Sequence, residues 1–416
     1  MKQKTRMPDI SSILYLALAR KRYCNLYRFT MSMNEEVDPV LLQKALNQVK
    51  NRFSLFFCGF QPTLFHDIQT LYQKEVKVMK DTAMLKILSK TEIKNCPARV
   101  LYADKKISIE FFHALTDGYG AVAFISTLTA EYLKLRYHLD VPLNYPIMNI
   151  NENVCEEEWC DEYLNHSSKK AAKLKKVLAY QLPREDKKES TIRVTEKNLS
   201  FSALKSISKH HGVSPTALLS ALMAQTIMNV QKNEEKRMKP VRIMIPVNLR
   251  GFFPSCTFRN FIETIHVTLH EKDLHQPFSQ RAQNFRAEMK EQLTAEHLSS
   301  LIKTHVAAQK SIFFRMIPRS LKYFAFKIGY ALFGESNSSL TFTNLGRVNL
   351  PEIMHPYVEK IDCYLSPRTG SPYNCAMIAY RDHVSLNFSS FNRNNALEKH
   401  FFDTLDEIMN SVELSV

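Results

Sequence analysis

The chain has 416 residues, of which 45% are apolar and 23% charged, a composition typical of a soluble globular protein and too apolar for intrinsic disorder. Its length is sufficient for two domains, and no apolar run reaches the length of a transmembrane helix. The formal net charge of +15 favours polyanionic partners, but the sequence has no zinc finger, RNA-recognition motif or convincing helix-turn-helix, so we do not expect a nucleic-acid binder.

The first residues combine a basic segment, 1–6, with an apolar run at 13–19, and together they faintly resemble a signal peptide. Asp9 interrupts the approach to this run, which is short, and three basic residues follow it at 20–22. We therefore interpret the run as a short helix of the folded protein.

A helix start is predicted at 37–46. Asp38 is a suitable N-cap residue, and Pro39 suits the first helical position because its fixed φ matches the helix. The apolar residues of this segment share one helix face: Leu42, Ala45 and Leu46.

The most informative segment, 106–120, is predicted to join a strand to a helix. Residues 106–111 alternate between polar and apolar, as a half-buried strand does. His113 lies where this strand ends, and Asp117 and two glycines form the turn beyond it. The helix that follows has apolar residues along one face: Ala121, Ile125, Leu128, Tyr132 and Leu135.

A histidine in this position can accept a proton near neutral pH, and an aspartate four residues further on can orient the turn. Glycine in the turn lets a substrate approach the backbone closely. The alternative for His113 is a structural histidine of the core beside a polar turn.

Residues 142–195 are predicted to connect two halves of the chain, because an acidic patch at 156–162 gives way to a basic patch there. We expect the basic patch to be the solvated face of a helix rather than a binding groove. Its lysines are Lys169, Lys170, Lys173, Lys175 and Lys176.

The eight cysteines are scattered. Cys155 and Cys160 flank a short acidic segment, but no second pair supplies metal-ligand spacing, so no metal site is predicted. Free thiols in a reducing compartment are the simplest interpretation, and we expect a cytoplasmic protein.

The second half is predicted to begin near Asn198 and to contain a helix capped by Ser214, with Pro215 as its first residue. His210 and His211 are adjacent, but no Asp-Gly pair follows them. We interpret them as the C-terminal end of a helix, where a histidine interacts favourably with the helix dipole.

Two further strands are predicted in this half. Residues 241–250 have the pattern of a buried strand that ends in a polar turn, and a Phe-Arg-Asn-Phe segment follows at 258–261. The other strand is predicted at 340–348.

Four segments resemble, in the same order, signatures of the CoA-dependent acyltransferase superfamily. This superfamily includes chloramphenicol acetyltransferase-like enzymes, alcohol O-acetyltransferases, wax ester synthases and condensation domains of peptide synthetases. Residues 37–56 resemble its opening helix, and PVNLR at 246–250 with Asn260 resembles its PVNLR…GN element. TNLG at 343–346 resembles the SNLG strand of the alcohol acetyltransferase branch.

The remaining segment, 112–118, lies second in chain order and resembles the HHxxxDG motif of the superfamily. His113, Asp117 and Gly118 match the second histidine, the aspartate and the glycine, and Phe112 replaces the first histidine. In the superfamily the second histidine is the general base, so the departure leaves the chemistry in place.

The resemblance implies an α+β (mixed α/β) fold of two chloramphenicol acetyltransferase-like subdomains. Each is expected to be a mixed sheet flanked by helices, with the active site in a tunnel between them. The expected subdomains are 1–185 and 191–416, and the expected crossover between them lies at about 142–195. A monomer is expected.

For the site, the resemblance makes His113 the general base and places Gly118 among the catalytic residues. It pairs Asp117 with Arg250, and Asn260 joins Arg250 as structural support; the alternative for Arg250 is a surface position. The ion pair is expected to connect the two halves at the site.

The tetrahedral intermediate of acyl transfer needs a hydrogen-bond donor for its oxyanion. Thr343 and Asn344 are the candidates, together with a backbone amide near Gly346. The alternative is that Asn344 binds only the adjoining backbone.

Phenylalanines near the motif can line an apolar acceptor tunnel or pack the core, and core packing is the more frequent use. They are Phe111, Phe112 and Phe124.

The resemblance favours an acyl-CoA-dependent O-acyltransferase with acetyl-CoA or another acyl-CoA as co-substrate, a hydroxyl-bearing small molecule as acceptor and no permanently bound cofactor. The alternatives are a condensation-type acyltransferase with carrier-bound acyl groups and a catalytically inactive binding member of the same fold. The phosphates of CoA, or an acidic acyl carrier protein, would suit the positive net charge.

Overall fold

The computed structural model describes residues 5–19, 25–168, 170–172, 177–186, 189–234, 237–310, 312–368 and 371–413. The strands are β1 (Thr5–Arg6), β2 (Leu26–Met33), β3 (Cys58–Pro62), β4 (Asp67–Leu71), β5 (Val78–Lys80), β6 (Ala98–Ala103), β7 (Lys106–Phe112), β8 (Arg193–Ser200), β9 (Val241–Asn248), β10 (Ile262–Leu269), β11 (Leu340–Val348), β12 (Val358–Leu365), β13 (Tyr373–Tyr380) and β14 (His383–Ser390). The helices are α1 (Ile10–Leu18), α2 (Pro39–Val49), α3 (Lys90–Asn95), α4 (Gly118–Tyr137), α5 (Phe201–His210), α6 (Pro215–Glu234), α7 (Phe278–Gln292), α8 (Ala295–Lys310), α9 (Ile312–Met316), α10 (Arg319–Phe333) and α11 (Ala396–Glu413).

The strands form three sheets. A five-stranded sheet has the order β12-β2-β7-β6-β5, a six-stranded sheet has the order β10-β9-β11-β13-β14-β8, and a small sheet has the order β1-β4-β3. The six-stranded sheet is mixed because β11 runs parallel to both β9 and β13, whereas the other neighbours are antiparallel. The five-stranded sheet is also mixed, since β5 runs parallel to β6. The expected α+β fold class is confirmed.

Two helix starts agree with the predicted caps. The Asp38 carboxylate accepts hydrogen bonds from the backbone N–H groups of Val40 and Leu41, and α2 begins at Pro39. The Ser214 hydroxyl accepts from the N–H of Ala217 in the first turn of α6. The short helix predicted near the N-terminus is α1, and α5 ends at His210 as expected.

Helix α4 is buried more completely than its sequence pattern predicts. Every residue from Gly120 to Leu133 is buried, not only the apolar stripe that begins at Ala121. The reason is that α4 packs against α2 on one side and against β2 and β7 on the other. A helix enclosed in this way is apolar around most of its circumference.

Strand β9 also differs from the expectation, because only one of its faces is buried. Val241, Ile243 and Ile245 are buried, and the residues between them are partly exposed. The strand does end in a polar turn, in which the Asn248 side chain accepts a hydrogen bond from the backbone N–H of Arg250.

The chain builds two hydrophobic cores, one around the five-stranded sheet and one around the six-stranded sheet. The segments that build them are interleaved: β12 pairs with β2 in the five-stranded sheet, although the rest of the chain after β8 supplies the six-stranded sheet. Ile10 and Tyr163 in turn belong to the second core. Subdomain boundaries at 185 and 191 stay a prediction.

Part of the predicted crossover can be placed. Lys170 is exposed and lies outside any helix, whereas Lys169, Lys173, Lys175 and Lys176 lie outside the described residues. Within the described ranges every cysteine is a free thiol. No single helix in these ranges is long and apolar enough to cross a membrane. Helices α5 and α6, which meet at a bend of 78°, reach the required length and apolar composition only when they are taken together.

Candidate active site

His113 lies one residue beyond the end of β7, at the start of the turn that leads into α4. Its backbone N–H donates to the carbonyl of Asn25, 3.0 Å away, which extends the pairing of β2 with β7. The side chain is half-buried. The histidine therefore lies at the end of the central strand of the five-stranded sheet, close to the start of α4.

Two tyrosine rings enclose the imidazole. The Tyr15 ring stacks on it with ring centroids 4.4 Å apart and an interplanar angle of 21°. Tyr27 meets it edge-on, with centroids 4.9 Å apart, and the Tyr27 hydroxyl donates to the carbonyl of Thr116. These contacts fix the plane in which the imidazole can lie.

Asn260 fixes the tautomer of the imidazole. The amide Nδ2 of Asn260 donates to the backbone carbonyl of His113, 2.9 Å away, so its Oδ1 is directed at the ring. Since Oδ1 only accepts, Nδ1–H of His113 is the donor of the 3.0 Å bond between them. Nε2 is therefore the ring nitrogen with the lone pair.

Burial lowers the pKa of His113 below its ordinary value. The Asp117 carboxylate and the Asn260 amide act in the opposite direction and are the weaker influences. The imidazole is therefore neutral near pH 7, which is the state that can accept a proton.

Asp117 and Arg250 form the predicted ion pair. Asp117 Oδ2 lies 2.8 Å from Nη1 of Arg250, and both side chains are buried. The same oxygen accepts from the N–H of Phe261, and Oδ1 caps α4 by accepting from the N–H of Tyr119. The expected pairing of Asp117 with Arg250 is thus present, and both oxygens of the carboxylate have hydrogen-bond partners.

Arg250 is held by further acceptors, which limits its motion. It donates to the backbone carbonyls of Thr257 and Arg259, and its guanidinium lies 4.4 Å from the centroid of the Tyr119 ring. The alternative surface position for Arg250 is wrong. The segment that carries Asn260 is thereby attached to the start of α4.

Gly118 lies against the TNLG segment of β11. A Cβ atom at Gly118 would be 2.6 Å from Cδ2 of Leu345, a distance that real Cβ contacts do not show. A side chain at this position would displace the end of the Leu345 side chain, which glycine leaves in place. This approach brings the TNLG segment to the turn that follows His113.

The side chain of Asn344 is engaged within its own surroundings. Nδ2 donates to the hydroxyl of Thr216, 2.8 Å away, and Oδ1 accepts from the N–H of Gly346 at the same distance. Gly346 has a φ of +74°, at an irregularity in the pairing of β11 with β13. The alternative that Asn344 binds the adjoining backbone agrees with this geometry. Among the described contacts, no hydrogen bond joins Asn344 or Thr343 to His113.

No family model matches the sequence, and no curated protein matches it. Solved structures match it over nearly the whole chain at low identity. Polyketide synthase associated protein 5 from Mycobacterium tuberculosis is 12% identical, with 97% of each chain covered and a TM-score of 0.64. TRI3 trichothecene 15-O-acetyltransferase from Fusarium sporotrichioides is 14% identical, with 98% of this chain and 95% of that chain covered and a TM-score of 0.61.

TRI101 from F. sporotrichioides, solved in complex with coenzyme A and T-2, is 12% identical, with 94% of this chain and 95% of that chain covered and a TM-score of 0.60. Condensation domains, among them that of the polyketide synthase MokA, have the same architecture. This chain has the acyltransferase and condensation-domain fold. The two-subdomain architecture expected from the sequence is the architecture of these structures.

Phe112 is the residue that the sequence resemblance aligns with the first motif histidine. Its ring is fully buried and meets the Phe60 ring edge-on, 6.1 Å between centroids. Phe111 and Phe124 are buried as well and pack against each other and against Phe56. All three phenylalanines pack the core, so the tunnel-lining alternative is wrong for them.

Sequence reasoning missed the contribution of α1 to the site. The Ser12 hydroxyl donates to the carbonyl of Ala114, 2.6 Å away, and Asp9 caps α1 by accepting from the N–H of Ser12. These bonds place Tyr15 over the imidazole of His113. The Asp9–Ser12 spacing before an apolar run is an N-cap signal that could have located the helix, but not its neighbour.

A buried carboxyl pair lies next to Asn260. Asp9 and Asp161 are electrostatically coupled, and Asp9 also bonds Asn260. Burial, with the Asp9 carboxylate as the second cause, raises the pKa of Asp161 to about 7. Oδ1 of Asp161 is buried without a hydrogen-bond partner in the described part of the chain.

Proposed function

We propose that this chain is an acyl-CoA-dependent O-acyltransferase, similar to alcohol acetyltransferases, with His113 as the general base. The observation that carries the proposal is the bond between Nδ1–H of His113 and Oδ1 of Asn260, which leaves Nε2 able to accept a proton. TRI3 is named as an O-acetyltransferase and TRI101 was solved with coenzyme A, which supports a CoA thioester as donor.

In the proposed reaction, Nε2 of His113 takes the proton of the acceptor hydroxyl as its oxygen attacks the thioester carbonyl. A tetrahedral intermediate forms, and its C–S bond then breaks. The leaving thiolate takes the proton back from Nε2, so the histidine ends neutral and no covalent enzyme intermediate is needed.

Donors for the oxyanion come from the TNLG segment in this proposal. Leu345 contacts the turn at Gly118, and we infer that the donors are its neighbours Thr343 and Asn344 or the backbone amide near Gly346. Asn344 has a second Nδ2 hydrogen beyond the one it gives to Thr216. Asp117, Arg250 and Gly118 position the turn.

The second candidate is a condensation-type acyltransferase that uses carrier-bound acyl groups. It is favoured by the match to condensation domains. An acidic carrier protein would meet a chain with a net charge of +15. Under either proposal we infer a cytoplasmic, monomeric enzyme with no permanently bound cofactor.

The test is thiol release from a panel of acyl-CoA thioesters, with and without alcohols. We expect release that depends on the alcohol, and a loss of about 100- to 10,000-fold in turnover for His113→Ala. His210→Ala is the matched control, because His210 is exposed at the end of α5. Wild-type turnover in His113→Ala would contradict the role of His113.

Two other outcomes would separate the alternatives. Release from carrier-bound but not from CoA-bound acyl groups would assign the condensation-type reaction. Binding of acyl-CoA without any release across the panel would identify a catalytically inactive member of the fold.

A further inference from the structure

Helix α10 exposes a row of large apolar side chains. Leu321, Phe324, Ile328 and Leu332 recur at intervals of three and four residues, and 57%, 64%, 46% and 42% of their respective surfaces are exposed. Residues at this spacing share one face of a helix. Single exposed apolar residues are ordinary on a protein surface, but a continuous row marks an interaction surface.

The tip of the β3–β4 hairpin extends this row. Leu64 and Phe65 at the tip are 70% and 40% exposed. Their carbonyls accept hydrogen bonds from the backbone N–H of Arg319 and from Nζ of Lys322, each 2.9 Å long. The two tip residues therefore lie beside the first turn of α10. We call the whole surface the α10 face, and it consists of Leu64, Phe65, Met316, Ile317, Leu321, Phe324, Ile328 and Leu332.

The polar side of α10 is fixed to the protein. Nε of Arg319 lies 2.8 Å from the carboxylate of Asp67, and the Tyr323 hydroxyl donates to the same carboxylate. Lys322 also donates to the carbonyl of Arg315. Because these bonds hold the helix by its polar side, the apolar row is directed away from the core.

The sequence segment that carries the α10 face is basic, and two of its basic residues are exposed or partly exposed beside the apolar row. From 297 to 334 the sequence contains no Asp or Glu and six basic residues, Lys303, Lys310, Arg315, Arg319, Lys322 and Lys327. Arg315 is exposed next to Met316, and Lys327 is partly exposed next to Ile328. A helix with an apolar face and basic residues beside it is typical of binding to a membrane surface.

We propose that the α10 face docks on the surface of an anionic phospholipid bilayer. The apolar row would enter the boundary between headgroups and acyl chains, while Arg315 and Lys327 would meet lipid phosphates. A second copy of the chain fits less well, because two such faces would bring like charges together. An acidic protein would match the charge but leaves the long apolar row unexplained.

Docking would also bring the bilayer to one side of the candidate active site. Helix α10 packs against α1, and Tyr15 of α1 stacks on His113. The docking surface itself does not depend on the proposed reaction, so its test uses vesicle binding alone.

The first experiment is flotation of the full chain with phosphatidylcholine vesicles, with and without phosphatidylglycerol. We expect binding to the anionic vesicles that weakens with salt, and a loss of about tenfold or more for the double variant Leu321→Glu/Phe324→Glu. The matched control is Val40→Glu/Leu143→Glu, whose residues are 62% and 50% exposed and which changes the net charge equally. We expect this control to bind within about twofold of the wild type, since it leaves the α10 face intact.

The second experiment avoids introduced charges. Trp159 is the single tryptophan, so Trp159→Phe with Phe324→Trp places one fluorophore on the α10 face. We expect its emission to shift to the blue with anionic vesicles and to be quenched by brominated lipids. Val40→Trp in the Trp159→Phe background is expected to show neither effect.

Three outcomes would overturn the proposal. Flotation that is equal for the Leu321→Glu/Phe324→Glu variant and its control would exclude the α10 face. Equal binding to neutral and anionic vesicles would exclude recognition of anionic lipid. A wild-type dimer in solution that this double variant converts to a monomer, without vesicle binding, would assign the face to a second copy of the chain.

Discussion

The imidazole of His113 is controlled by neighbours that act on different properties of the ring. Tyr15 and Tyr27 set its plane, Asn260 sets which nitrogen carries the proton, and burial sets its neutral state. Separating these effects tells a base from a merely structural histidine, because only a base links the ring's protonation to turnover.

Asn260→Ala removes the acceptor of the Nδ1 proton and should lower turnover by about 10- to 100-fold, the usual effect of losing a partner that orients a histidine. Asn260 raises the pKa of His113, so its loss should move the acid limb of the kcat/KM profile to lower pH. The measurement is the pH profile of both proteins. Asn284→Ala, an exposed control on α7, should keep the wild-type profile. An unshifted limb in Asn260→Ala would contradict the link between this amide and the base.

The buried carboxyl of Asp161 should make stability depend on pH. Its pKa is raised in the folded protein to about 7 from the ordinary 3.8, so the folded state binds more protons than the unfolded state between these values. The free energy of unfolding contributed by this group therefore falls as pH rises through that window. Asp161→Asn should remove this fall.

We expect Asp161→Asn to be more stable than the wild type above pH 7, by up to about 4 kcal/mol, and to differ little near pH 4. Urea unfolding at several pH values is the measurement. A difference that stays constant with pH would show that the carboxyl is not the cause.

The ion pair of Asp117 with Arg250 connects the start of α4 to the turn after β9. Asp117→Asn leaves a buried guanidinium without its counter-charge, which should lower stability by about 3 kcal/mol, and it should lower turnover because the His113 turn loses its position.

The chain offers a comparison in Arg52 and Glu158, a second buried ion pair, 2.6 Å long, whose side chains make no hydrogen bond to residues 113–119 among the described contacts. Glu158→Gln should lose comparable stability in thermal unfolding and keep most of its turnover at a temperature where both variants are folded. Equal loss of turnover in both variants would argue against a positioning role of Asp117.

Local signals in the sequence, together with the motif resemblance, predicted much of the fold around the candidate site. The caps at Asp38 and Ser214, the strand that ends at His113 and the partnership of Asp117 with Arg250 all depend on residues within a few positions or on a motif. The stacking of Tyr15 on His113 was not predictable, because nothing in an amphipathic helix states which distant ring its face will meet. Phe112 shows the same limit: its sequence position suggested the site, and packing places it in the core.

The burial of α4 and of β9 was predicted less well from the sequence. The apolar period of a helix or strand reports its surroundings only when one side faces water. Helix α4 is enclosed by α2 and the sheet, so its apolar stripe understates its burial. Strand β9 has one face covered, and the alternation of Val241, Ile243 and Ile245 with the residues between them agrees with this, so the prediction of a fully buried strand overlooked its pattern.

The charge of the whole molecule bears on the donor. With a net charge of +15, a basic rim at the donor entrance would attract the phosphates of CoA. We expect the KM for acyl-CoA to rise with ionic strength, and the KM for a short pantetheine thioester to respond less, because it has fewer phosphate charges. Steady-state kinetics over a salt series test this. An equal response of both donors would leave the charge as a general surface property and make a carrier protein the better donor.

The placement of β12 beside β2 has a consequence for biosynthesis. Ribosomes make β2 early and β12 only after the α10 region has been translated. Until then β2, all of whose residues are buried in the folded protein, has outer N–H and C=O groups without a neighbouring strand, which makes it a template for pairing with other nascent chains. The five-stranded sheet is thus completed late in synthesis, and a chaperone that shields β2 until then would raise the yield of folded protein.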